Sequence, residues 1–192
     1  MDNANYILKT NEAVLMPTKN NRGRKFLKVC VWILVAIIII VSFIFHDNIF
    51  ADMNWSTRIL LIVLAMTFGF YNGKKEYTPS PMELQFYDDY LVLYLPHRYL
   101  DDRETRKQIN IMKYSDITKC VYKSKSTRVQ IYGDGQSTWY KYKKDGSLPE
   151  KPTKDRFVTN GMIYFNTCLA TDVDFIKEIE KHSPLKVIIE ND

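Results

Sequence analysis

Between residues 119 and 156 there are ten Lys or Arg side chains against four acidic ones, with aromatic residues threaded among them. Such a stretch can hold anions. Trp139, Lys141 and Lys143 are spaced by two, so a strand projects all three on one side, with Lys144 adjoining and Tyr140 and Tyr142 on the other. Lys119, Lys123 and Lys125 share that odd parity, and Arg128 follows after a turn. The candidate contact set is therefore Lys119, Lys123, Lys125, Arg128, Trp139, Lys141, Lys143 and Lys144, facing anionic lipid headgroups or a partner protein. Each cation near an anionic surface contributes about 1 kcal/mol. The aromatics could stack on bases, but no recognition motif accompanies them, and the reading is that nucleic acid is not a partner.

Catalytic patterns fail. His46, His97 and His182 are far apart and have no metal-ligand spacing. Neither phosphate-cradling glycine spacing occurs, nor a nucleophile elbow. Asp88-Asp89 and Asp101-Asp102 read as solvated turns. Cys30, Cys120 and Cys168 form no CxxC pair, and the strand-like settings of the last two suit small buried residues. The expectation is a non-enzyme with no cofactor and no metal.

Two apolar runs precede the basic stretch. Val29–Phe45 (VCVWILVAIIIIVSFIF) contains no charge, and Ile59–Tyr71 (ILLIVLAMTFGFY) follows closely. Extended to 26–45 and 53–71, they predict a transmembrane helical hairpin. Residues 1–28 carry a net charge of +4 and Lys74-Lys75 follow the second run. The positive-inside rule then places both termini in the cytoplasm and the protein in the plasma membrane as a multi-pass chain. The expected organisation is a basic N-terminal segment (1–25), the hairpin (26–71) and a cytoplasmic domain (77–192).

That last part reads as β-rich. Leu84 and Phe86, then Leu91, Leu93 and Leu95, alternate about the turn Tyr87-Asp88-Asp89-Tyr90. Strand patterns recur at 109–112, 119–123, 128–133, 137–143 and 162–169. A turn is expected at Gly133-Asp134-Gly135, and a loop at 145–157. Thr171 is a plausible N-cap with Asp174 in a capping-box position, Val173, Ile176 and Ile179 form an apolar stripe, and Pro184 stops the helix. KVIIE (186–190) could add an edge strand. The fold class expected is thus α+β: a transmembrane hairpin, then a pleckstrin-homology-like barrel with a C-terminal helix.

The segments MELQFYDDYLVLYLP, IMKYSDITKCVYK, RVQIYG and DFIKEIEKHSPLK, with the basic start and the apolar pair, resemble the YcxB-like family of small bacterial membrane proteins. The resemblance implies a two-helix anchor and a pleckstrin-homology-like domain, with no reaction or catalytic residue to transfer. The function expected is non-catalytic: a cytoplasmic domain presented at the inner leaflet for protein interaction or scaffolding. The alternatives are an anionic-lipid sensor using the basic face of residues 119–156, and a small immunity-type protein acting through the hairpin.

Overall fold

A computed structural model describes residues 3–17, 22–45, 49–69, 75–101 and 104–191. Two compact units divide the chain: residues 1–16 with 77–192, and residues 17–76.

The unit of residues 17–76 is helical, with α1 (Arg22–Phe45), α2 (Ile49–Asp52) and α3 (Trp55–Gly69). Asn54 caps α3, its side-chain oxygen accepting from the Thr57 N–H at 3.0 Å. The expected membrane hairpin is not found. Among the described residues, no helix is long and apolar enough to cross a bilayer. At 15 residues, α3 rises about 22 Å against a hydrocarbon core of about 30 Å. Arg22, Arg24, Lys25 and Lys28 occupy the first two turns of α1, confining its charge-free part to the 17 residues of Val29–Phe45, roughly 25 Å. The multi-pass plasma-membrane location and the cytoplasmic assignment of both termini depended on that hairpin and fall with it. His46 and the turn after α1 lie outside the described residues, as do residues 70–74.

The other unit is a β-rich half-barrel, and it begins earlier than the sequence suggests. Residues 6–17, expected as part of a basic segment, form strand β1 (Tyr6–Pro17) beside β2 (Lys75–Phe86). The chain then runs β3 (Tyr90–Asp101), β4 (Glu104–Lys113), a 3-10 turn (Tyr114–Asp116), β5 (Ile117–Lys123), β6 (Arg128–Lys141), β7 (Lys154–Asn166), α4 (Phe175–His182) and β8 (Val187–Glu190). The sheet order is β1-β2-β3-β4-β6-β5-β8, with β7 also on β6. Strand β7 follows β6 from Arg128 to Trp139. The opposite edge of β6 is shared end to end, by β5 along 128–133 and by β4 along 136–141.

The turn expected at Gly133-Asp134-Gly135 is therefore absent; β6 runs through it with an irregularity in register. Both glycines serve close approach. Gly133 has φ +151°, and a Cβ there would strike the Asp116 carbonyl and Ile117; one at Gly135 would lie 2.7 Å from the Ile111 carbonyl oxygen. The long strand can pass the bend between β4 and β5 because no side chain stands there.

Alternation places Leu84, Phe86, Leu91, Leu93 and Leu95 on the inner face, all fully buried, with Val129, Ile131 and Phe165. Helix α4 covers this core with Phe175 and Ile179. Its N-cap is Asp174, whose carboxylate accepts from the Lys177 N–H at 3.1 Å, three residues later than the cap expected at Thr171. Tyr6 stacks on His182 with ring centroids 3.7 Å apart, tying the first strand to the last helix. Residues 187–190 form the edge strand, parallel to β5.

Candidate anion-binding recess

Beyond the apolar core the same inner face becomes polar and basic, and the strand register explains how. Three successive rungs cross the sheet. In the first, Leu93, Asn110, Ser137 and Arg156 are partners across β3, β4, β6 and β7. The second joins Leu95, Gln108, Trp139 and Lys154. The third places Arg98, Arg106 and Lys141 abreast. Leucines begin the first two rungs and cations end all three, so the face grades from dry core to basic recess within three residue pairs.

Arg98 owes its place to an irregularity. Strict alternation after Leu95 would turn His97 inward, but the β3–β4 register shifts between Leu95 and Arg98. The arginine then takes the recess side, while His97 stacks on Tyr142 at 5.0 Å.

The recess encloses about 270 Å³. Its lining includes Arg98, Arg106, Arg156, Gln108, Asn110, Gln136, Ser137, Trp139 and Tyr164, over an apolar part formed by Met112, Val158, Met162 and Ile163. Among the described residues, no carboxylate lines it. A hydrogen-bonded chain organises the floor. Arg106 Nη2 donates to Gln108 Oε1 (2.8 Å), and Gln108 Nε2 donates to Asn110 Oδ1 (2.9 Å). Ser137 Oγ donates to the same Asn110 oxygen (2.8 Å), and Trp139 Nε1 donates to Ser137 Oγ (2.8 Å). With two donors fixed on Oδ1, the orientation of the Asn110 amide is set. Its nitrogen has no hydrogen-bond partner, although the residue is only 1 % exposed. Leaving such a donor unsatisfied costs about 1–3 kcal/mol.

Cation–π contacts hold the charges. The Arg106 guanidinium lies 3.7 Å from the Trp139 ring centroid, with Lys154 at 5.1 Å and Arg156 at 5.4 Å from that ring. Tyr164 is similarly placed between Arg98 (5.1 Å) and Arg128 (4.8 Å). Glu12 of β1 is 3 % exposed and lies within electrostatic reach of Arg98. Burial pushes its carboxyl up, and the charge of Arg98 pulls it back in part.

Of the eight residues singled out from the sequence, Trp139 lines the recess and Lys141 ends its third rung. Lys119 and Lys123 project from β5 and share Glu190, at 3.7 and 3.5 Å. Arg128 donates to Asn166 Oδ1 at 2.9 Å. Lys125 lies in the β5–β6 turn, and Lys143 and Lys144 lie just past β6, all three exposed. Strand β6 separates Arg128 from Lys141 by up to about 40 Å, so these residues belong to different ends of the sheet. Arg156 falls within the basic stretch 119–156 but outside the eight, and Arg98, Arg106 and Asn110 lie outside the stretch altogether; alternation from Leu95 points away from Arg98, and an Asn within an apolar strand carries no charge signal.

The chemistry of the remaining reactive groups is muted. Cys120 is buried and its thiol is pushed up to about 12 by burial, with Glu180 adding to it. Among the described residues no group of His, Cys, Asp and Glu is arranged to hold a metal ion. No family model, no characterised protein and no solved structure matches this chain. The YcxB-like resemblance accordingly rests on the sequence segments alone.

Proposed function

We propose that the β-rich unit is a non-catalytic binding module whose ligand is an anion held in the recess between β3, β4, β6 and β7. The observation that carries this reading is the presence of three guanidinium groups, of Arg98, Arg106 and Arg156, in the lining of one small recess. Guanidinium groups recognise anions through charge-assisted, forked hydrogen bonds. The absence of a carboxylate from the lining among the described residues and the unpartnered amide nitrogen of Asn110 support it further. The non-catalytic part is supported by the burial of Cys120 and by the engagement of His97 and His182 in aromatic stacks. A protein-interaction role is compatible with this chemistry where the partner offers the anionic group.

The test is calorimetric titration of the full chain with pyrophosphate at low salt, alongside Arg106→Gln. The expected result is saturable one-to-one binding that weakens with added salt and falls at least tenfold in the variant. Heats that are absent, or that are equal in the two proteins, would contradict the reading.

A further inference from the structure

The geometry points to a phosphomonoester, carried by a small organic group, as the ligand of the recess; this rests on the anion-binding reading above and narrows it. Three guanidinium groups, of Arg98, Arg106 and Arg156, line one small space. A carboxylate has two oxygens and one charge, which a single arginine fork satisfies. A phosphomonoester dianion offers three terminal oxygens and nearly two charges, and so can engage several forks at once.

The fourth donor is Asn110. Its oxygen is already committed to Gln108 and Ser137 at 2.9 and 2.8 Å, so its amide must present N–H groups in the other direction. That nitrogen is buried, lacks a hydrogen-bond partner and belongs to a residue lining the recess. It is a neutral donor whose orientation is already fixed by the two bonds to its oxygen. A small opening of the floor would let this donor meet one phosphate oxygen, and the amide itself need not turn.

The apolar part of the lining, which includes Met112 and Ile163, gives the ligand's organic portion somewhere dry to rest. The volume of about 270 Å³ sits at the lower edge of the usual range for small-molecule pockets, about 300–1,000 Å³. It suits one phosphate and a group no larger than a ring, whether from a soluble ester or from the exposed head of a phosphorylated lipid.

Calorimetry on the full chain at constant ionic strength tests this with three probes of matched shape: phenyl phosphate, phenyl sulfate and benzoate. At pH 8, phenyl phosphate is expected to bind at least tenfold tighter than either monoanion. Its advantage should shrink toward pH 5, as the second phosphate proton, with pKa about 6, returns. Asn110→Asp keeps the acceptor oxygen while removing the donor, and should erase the preference for phosphate. Arg156→Gln, at an exposed strand position where folding is not at risk, should weaken phenyl phosphate at least fivefold and benzoate less. Vesicles containing phosphatidate supply the lipid source. Binding to them that phenyl phosphate displaces assigns the site to a headgroup, whereas tight phenyl phosphate binding without vesicle binding assigns it to a soluble ester. Equal affinity for all three probes would overturn the phosphate assignment while leaving an anion site in place. No binding of any probe would remove both. A folded Asn110→Asp protein with unchanged selectivity would overturn the role given to Asn110.

Discussion

The Arg106 guanidinium lies over the Trp139 ring with its carbon 3.7 Å from the centroid, while the indole N–H of Trp139 donates to Ser137 Oγ at 2.8 Å. One aromatic side chain thus fixes a cation on its face and joins the buried polar chain through its edge. Trp139 is in this account a positioning residue. Trp139→Leu removes both contacts and should weaken anion binding about fivefold, from a cation–π term of about 1 kcal/mol. Trp139→Phe keeps a ring for Arg106 and should fall between the two. Calorimetric affinities of the three proteins, at matched thermal stability, check this; identical values would show that Arg106 needs no platform.

Glu12 gives a prediction in pH. Burial raises its carboxyl pKa in the folded chain, with Arg98 opposing. Because the folded state binds this proton more tightly than the unfolded state does, stability falls as pH rises through the folded pKa. Glu12→Gln cannot ionise, so the variant should melt higher than the parent at neutral pH, and the gap should close under acid conditions. It also removes a negative charge that acts on Arg98, so the recess should bind anions more tightly. A variant that melts lower at pH 7 would contradict the sign.

Gly133 predicts a large backbone effect. A Cβ there would strike the Asp116 carbonyl, and φ of +151° already disfavours any other residue. Gly133→Ala should cost about 2 kcal/mol or more. Gly146, also at positive φ but with open space around it, is the control and should lose about 1 kcal/mol. Urea denaturation midpoints separate the two.

Helix α4 stabilises the half-barrel through a few side chains. Ile179 is fully buried against the core, so Ile179→Ala should cost about 3 kcal/mol. Asp174→Ala loses the N-cap bond to Lys177 and should cost about 1 kcal/mol. Equal losses would mean that the cap, rather than the buried face, holds the helix.

Much of the β-rich unit is legible in the sequence, since alternation alone puts Leu84, Phe86, Leu91, Leu93 and Leu95 on one face. Legibility fails wherever the chain departs from period two. The register shift after Leu95 brings Arg98 inward against the pattern. The glycines at 133 and 135, a turn signature by composition, instead allow one strand to pass the bend between two others. Strand β1 is separated from its partner β2 by the whole helical unit, a pairing that no local pattern encodes. Of the eight residues singled out from the sequence, Trp139 lines the recess and Lys141 stands in register with Arg106 beside it. Its other members are placed there by register, and register is a property of the assembled sheet.

The most direct test of the anion site is nuclear magnetic resonance of the arginine Nε–H and tryptophan indole N–H groups of the full chain during titration with phenyl phosphate. The Trp139 indole and the Arg98, Arg106 and Arg156 signals are expected to shift together along one saturating curve. Shifts confined to the exposed lysine-bearing segments at 125 and 143–144, with those four signals unmoved, would contradict it.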